Sequence, residues 1–281
     1  MSEHTAIVTG GLRGLGHAMA LGLLRKGCNV VAVGHIEADI AAMRDLAQGE
    51  SWAARLHPMV ADLRKAAACD TVFAETRARF GEADILVNSA GLTFTYSAPD
   101  RFRRKTPQTF WQCGDDVTQN VMDTNFMAAD MMARRAVPPM LARGWGRIVN
   151  VTTKLDTMNR EGSSPYGPSK AALEMASEIW AKELAGTGVT ANVVNPGAGA
   201  NTPGMAQEMR DASAAGTASR LVEPNDMIPP LLFVVSREAD AVNGFRFDAN
   251  VWDTSLPPIK AARRIAQPSG FVLHPPRAWD A

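Results

Sequence analysis

Short apolar runs rich in β-branched residues alternate with amphipathic stretches along most of the chain. Residues 5–9 (TAIVT), 29–33 (NVVAV), 56–60 (LHPMV), 84–87 (DILV), 147–151 (RIVNV), 188–194 (GVTANVV) and 243–247 (NGFRF) read as strands. Between them apolar positions recur at helical spacing. Leu15, Met19, Leu23 and Leu24 share one side of a stretch ending at Gly27. Helices are likewise predicted over 38–48, over 65–80 closed by Gly81, and over 116–143, 166–184 and 223–236, the last entered at Pro224. Strands alternating with helices imply parallel βαβ crossovers, hence an α/β fold with a doubly wound parallel sheet.

Two segments break the rhythm, and the end of the chain departs from it. Residues 92–115 carry Pro99, Pro107, several aromatics and the basic run Arg101-Phe102-Arg103-Arg104-Lys105. A long segment after a strand is where a substrate-shaping loop is expected. The run itself reads as a solvated face, with binding of an anionic substrate or partner as the alternative. Residues 198–216 are small, polar and glycine-containing, which predicts a flexible lid. Residues 251–281, rich in Pro and Trp, read as a tail packed on the single domain formed by residues 1–250.

Composition narrows the function classes. The 281 residues are 46% hydrophobic and 21% charged, with a formal net charge of zero, so neither nucleic acid nor an anionic membrane is an expected partner. Three widely spaced cysteines form no CxxC, and five histidines show no ligand spacing, so no metal is expected. The chain enters its first strand at once, without a charged-then-apolar leader, and no apolar run approaches 18 residues. A cytoplasmic protein is expected.

The chemistry gathers at strand carboxyl ends, where ligands bind in such sheets. Gly10, Gly34, Asp62 and Asn88 all fall there. The first strand runs into Thr9-Gly10-Gly11-Leu12-Arg13-Gly14-Leu15-Gly16 and then a helix. Glycines let the backbone approach a pyrophosphate, and the helix N-terminus offers free N–H groups to it. At the end of the second strand, Gly34-His35 supplies no carboxylate for an NAD ribose, while Arg13 in the turn could meet a 2′-phosphate. NADP is therefore favoured, with NAD as the alternative. Tyr166 and Lys170 lie one helical turn apart, a spacing at which an ammonium can lower a phenol pKa and make it an acid/base group.

Taken together, these motifs resemble the short-chain dehydrogenase/reductase family over residues 5 to about 250. The resemblance implies a Rossmann-type fold and cofactor contacts from Gly10, Arg13, Gly14, Leu15, Gly16 and His35, with Asp62-Leu63 at the adenine. Asn88-Ser89-Ala90-Gly91 resembles the family's N-[N/S]-A-G motif, placing Asn88, Ala90 and Gly91 at the cofactor. Asn195-Pro196-Gly197 resembles the turn beside the nicotinamide, with Thr202 or Asn201 supplying a later contact. Tyr166 would be the general acid/base, and Lys170 would lower its pKa and hold the nicotinamide ribose. Thr153, where the family usually has serine, would position the substrate oxygen, and Asn125 would hold a water. A small carbonyl or alcohol substrate and a homodimer or homotetramer are also implied. Phe94, Tyr96, Trp111, Met158 and Met205 are candidates for an apolar substrate pocket. A non-catalytic dinucleotide-binding regulator and an epimerase or dehydratase are the competing classes.

Overall fold

The computed structural model describes residues 4–271. Its centre is one eight-stranded sheet in the order β3-β2-β1-β4-β5-β6-β7-β8. The strands are β1 (Thr5–Thr9), β2 (Asn29–Gly34), β3 (Leu56–Val60), β4 (Ile85–Asn88), β5 (Gly146–Asn150), β6 (Val189–Asn195), β7 (Phe245–Asp248) and β8 (Gln267–Pro268). The first seven are parallel, and β8 adds antiparallel to β7 at one edge. Sheet growth reverses between β3 and β4, so a crevice opens at the carboxyl ends of β1 and β4. The register aligns those ends: Thr9 pairs with Val33 on one side and Asn88 on the other, and Asn88 pairs with Asn150.

Ile7, Val8, Val31, Leu86, Val87 and Val193 are wholly buried because helices cover both sheet faces. One face packs Met19, Leu23 and Leu24 of α1 (Gly14–Arg25) with Leu231 and Val234 of α10 (Ile228–Val234). The other packs Val72 and Phe73 of α3 (Ala66–Phe80) with Met132 and Met140 of α6 (Ala128–Arg143). Each fully buried Val, Leu, Phe or Met contributes about 2 kcal/mol relative to exposure.

Three expected elements are corrected. The helix expected over 116–143 divides into α5 (Asp115–Met122), a π turn (Asp123–Met127) and α6. The one expected over 223–236 divides into a 3₁₀ turn (Pro224–Met227) and α10. Pro229 and Pro230, which have no N–H to return to the preceding turn, sit in the first turn of α10 at that break. The expected flexible lid instead contains α9 (Gln207–Ala214) and a bridge between Ala200 and Val222. The hydroxyls of Thr93, which precedes the short α4 (Phe94–Ser97), and of Thr95 within it donate to the Gly204 carbonyl of this segment at 2.7 and 2.8 Å. The tail contributes α11 (Pro258–Ile265) and β8, and Trp252 packs on Phe233 and Phe247 at 5.8 and 6.4 Å. Residues 272–281 lie outside the described residues. Among the described residues no helix is long and apolar enough to cross a membrane, and no group of three His, Cys, Asp or Glu is arranged to hold a metal.

Candidate active site

A cleft of about 1220 Å³ runs along the carboxyl edge of the sheet from Asp39 and Asp62 to Tyr166 and Arg220. The glycine turn forms one wall. Gly10 has φ +66°, and a Cβ there would lie 2.9 Å from the Ala90 backbone. A Cβ on Gly16 would lie 2.2 Å from the Gly10 carbonyl oxygen. Glycine is therefore required at both positions. Thr9 ties the turn to the next strand: its Oγ1 accepts from the Ser89 and Ala90 N–H groups at 3.0 and 3.1 Å. No side chain caps the N-terminus of α1, whose first-turn donors are oriented for an anion. This open glycine cradle fits the pyrophosphate of a dinucleotide.

Tyr166 opens α8 (Tyr166–Glu183) and Lys170 follows one turn later, both lining the cleft. The Thr153 hydroxyl stands beside the Tyr166 phenol and favours its ionised form, and the Phe94 ring packs against Tyr166 at 4.5 Å between centroids. Burial pushes the phenol above its ordinary 10.0, and Thr153 opposes that only in part. The Lys170 ammonium donates to the Val151 carbonyl at 2.8 Å, and burial lowers its pKa to about 8. The expected lowering of the phenol by Lys170 is thus not what the protein alone produces. Loss of solvation disfavours the phenolate and the ammonium alike.

Asn125 sits in the π turn, fully buried. Its Oδ1 accepts from the Leu92 N–H at 2.7 Å, and its Nδ2 donates to the Leu92 carbonyl at 3.0 Å and to Ser169 Oγ at 2.9 Å. Ser169 Oγ donates to the Tyr166 carbonyl at 2.7 Å, so Asn125 braces the first turn of α8. A Cβ on Gly91 would meet Asn125 Oδ1 at 3.3 Å and Lys170 Nζ at 3.4 Å. These three residues thus converge, although Asn125 stays behind the cleft wall.

Most of the expected site residues line the cleft: Gly10, Arg13, Gly14, Leu15, Gly16, His35, Asp62, Leu63, Ala90, Gly91, Thr153, Tyr166, Lys170, Pro196, Gly197 and Thr202. Asn88 does not. Its Nδ2 donates to Asn150 Oδ1 at 2.9 Å, and Asn150 donates on to Ser177 Oγ at 2.8 Å, so it is a strut between β4 and α8. Thr202 abuts Gly14, whereas Asn201 is turned to Glu223 and Arg210. The Arg13 guanidinium is not free, because Nε and Nη2 fork onto Asp39 at 2.7 and 3.0 Å. Of the apolar candidates, Phe94, Tyr96 and Met205 line the cleft, Met158 is buried elsewhere, and Trp111 is 71% exposed.

A buried ion pair behind Thr153 has no counterpart in the sequence reading. Arg246 and Glu174 are 1% and 0% exposed, with Nη1 and Oε1 2.9 Å apart. Arg246 Nη2 donates to the Thr153 carbonyl at 3.1 Å, while Glu174 Oε2 accepts from Thr152 Oγ1 at 2.7 Å. Burial pushes the Glu174 carboxyl up, and Arg246 opposes that. The pair grips the two residues on which the Thr153 hydroxyl depends. Glu174 follows Lys170 at i+4, the one sequence signal that could have found it.

The short chain dehydrogenase family matches residues 4–213. The chain belongs to the short-chain dehydrogenase/reductase family, a family of oxidoreductases. It is similar to 2-dehydro-3-deoxy-D-gluconate 5-dehydrogenase of Escherichia coli, with 31% identity over 246 residues, 85% of this chain and 91% of the relative. The fold is shared with two solved structures. An actinorhodin polyketide ketoreductase holding NADPH has a TM-score of 0.74 and 23% identity, covering 88% of this chain and 97% of that one. A 3-ketoacyl-(acyl-carrier-protein) reductase from Brucella melitensis holding NADH has a TM-score of 0.73 and 24% identity, covering 88% and 96%. In this short-chain dehydrogenase/reductase the described tail segments 258–265 and 267–268 follow the matched region.

Proposed function

We propose that the chain is an oxidoreductase that moves a hydride between NADP(H) and a carbonyl or alcohol substrate, with Tyr166 as general acid/base. The observation that carries this reading is the Tyr166–Thr153 hydroxyl pair in the same cleft as the glycine turn. The glycine turn and the α1 N-terminus would bind the pyrophosphate, with Pro196, Gly197 and Thr202 along the nicotinamide half. The bound dinucleotide supplies hydride to the carbonyl carbon or accepts it from the carbinol carbon. In reduction Tyr166 Oη gives its proton to the nascent alkoxide; in oxidation it accepts the alcohol proton. Thr153 Oγ1 holds the substrate oxygen against the phenol. Its added methyl, relative to serine, restricts χ1 and narrows the space beside the reacting carbon. Lys170 would hold the ribose of the nicotinamide half. Asn125 acts through Ser169 on the start of α8.

NADP(H) is favoured because β2 ends at Gly34-His35 without a carboxylate and Arg13 stands at the same mouth. A second reading, NAD(H), is favoured by Asp39, which lines that mouth and engages Arg13. Separate fluorescence titrations with NADPH and NADH decide between them; at least tenfold tighter NADH binding overturns the first. The half-exposed Met127 and Ile179, beside α6 and on α8, support self-association through these helices, which sedimentation tests. The chemistry is tested with Tyr166→Phe. Cofactor binding is expected to stay within about twofold while turnover falls on the order of 100-fold or more. Near-normal turnover in that variant would refute the role of the phenol.

A further inference from the structure

The basic run of residues 101–105 does not act as one surface. Arg103 is spent on Glu208, and Arg104 on Asp100 at 2.7 Å. Arg101 turns the other way, into the cleft. Its guanidinium stacks over the Phe94 ring at 4.1 Å and donates to the Gly162 carbonyl. The Phe94 ring in turn lies 4.5 Å from the Tyr166 ring. These 4.1 and 4.5 Å steps place the guanidinium carbon within about 9 Å of the Tyr166 ring centroid.

Arg160 lines the same end of the cleft, and its charge reaches Arg101. Its one side-chain contact within the described residues is a 3.5 Å approach to Thr157 Oγ1. Among the described residues no carboxylate pairs with either arginine. Nearby Lys154 is matched by Asp156 at 3.1 Å. The carboxylates lining the cleft, Asp39 and Asp62, belong to the opposite end and are engaged by Arg13 and Arg64. Arg101 and Arg160 therefore face that end of the cleft without a counter-ion, and the exposed Arg220 lines it as well. Such a pair repels itself and is stabilised by an oxyanion, which planar guanidinium groups bind in forked geometry.

We propose that the substrate carries a terminal oxyanion, a carboxylate or a phosphate, a few carbon atoms from the reacting carbonyl or carbinol, and that Arg101 and Arg160 receive it. This rests on the reading of the cleft as a hydride-transfer site. Phe94 fixes the spacing, because its ring holds Arg101 on one contact and Tyr166 on another. The site thereby selects acids over their neutral counterparts.

The test compares matched substrates with the cofactor-loaded protein: acetoacetate, levulinate and 2-oxoglutarate against their methyl esters, and dihydroxyacetone phosphate against dihydroxyacetone. At least one charged member is expected to exceed its neutral counterpart tenfold in kcat/KM. That preference is expected to fall at least tenfold, through KM, in Arg101→Met and in Arg160→Met. Arg160→Met serves alone if Arg101→Met does not fold. Which charged member is preferred separates carboxylate from phosphate. Neutral members used as well as charged ones, or a preference unchanged in the folded variants, overturns the proposal while leaving hydride transfer intact. If none of these compounds turns over, malonate and inorganic phosphate are titrated calorimetrically into the cofactor-loaded protein. Binding of at least one, weakened fivefold or more in the folded variants, supports the oxyanion site independently of the chemistry. No binding, or equal binding in the variants, overturns it.

Discussion

Replacing Lys170 by methionine is expected to stop the chemistry and stabilise the fold. Lys170 is 4% exposed, and burial lowers its pKa from 10.5 to about 8. At ~1.4 kcal/mol per pKa unit, holding the ammonium there costs about 3 kcal/mol at pH 7. Methionine keeps much of the aliphatic stem without the charge. It also removes the 2.8 Å donor to the Val151 carbonyl, a loss of about 1 kcal/mol. The variant is therefore expected to be more stable by about 2 kcal/mol at pH 7.

The pH dependence gives the sign independently. Between about 8 and 10.5 the unfolded chain keeps a proton that folded Lys170 has released. Wild-type stability therefore rises through that window relative to the variant. The methionine advantage should shrink above pH 8 and be gone near pH 10. Urea unfolding of both proteins at pH 7, 8.5 and 10 measures this, with NADPH and NADH turnover recorded on the same preparations. Turnover is expected to fall on the order of 100-fold or more. A variant no more stable than wild type at pH 7, or an advantage that does not change with pH, refutes the claim that burial governs Lys170.

Arg246→Met leaves the Glu174 carboxylate buried without its cation and is expected to cost about 3–5 kcal/mol in urea unfolding. With Arg246 gone the carboxyl is pushed further above its ordinary range, so the loss is greater at pH 8 than at pH 5; equal losses would contradict the pairing. The double variant Glu174→Met/Arg246→Met is expected to recover more than 1 kcal/mol of that loss. Asp39→Asn frees Arg13 from its 2.7 and 3.0 Å fork and is expected to raise NADPH affinity over NADH by threefold or more. A ratio that does not move removes Arg13 from 2′-phosphate recognition.

The elements that could be read from the sequence depend on local chemistry. A strand apolar throughout, a glycine turn and a helical stripe are each encoded within some ten residues. For that reason β1 to β7, α1 and the start of α8 lie close to where the pattern puts them. Local reading fails where partners are distant in sequence. Arg13 appears free until α2 (Glu37–Ala47) brings Asp39 to it, 26 residues later. Asn88 carries the motif's identity, but a partner 62 residues away turns it into a strut. The π turn that holds Asn125 spans Asp123–Met127 and contains no glycine or proline to mark it in the sequence. Arg101 could not be told from Arg103 and Arg104 until their carboxylates were located.

The face of α8 that begins with the acid/base residue explains what the tail does. Tyr166, Lys170, Glu174 and Glu178 recur at i+4 and so form one stripe. Its first two members face the cleft, and the next two face residues that follow β8. The Gly270 N–H donates to Glu174 at 3.3 Å, and Ser269 Oγ donates to Glu178 at 3.0 Å. Gly270, at φ +80°, has room for no side chain without strain, because a Cβ would lie 3.0 Å from Glu178 Cβ. The tail therefore lies directly on the helix and excludes water from Glu174 and Arg246. A dry pair attracts more strongly than a wet one and holds a fixed geometry. Arg246 passes that geometry to the Thr153 carbonyl, and Glu174 passes it to Thr152. The tail is thus connected, through two buried charges, to the hydroxyl that meets Tyr166.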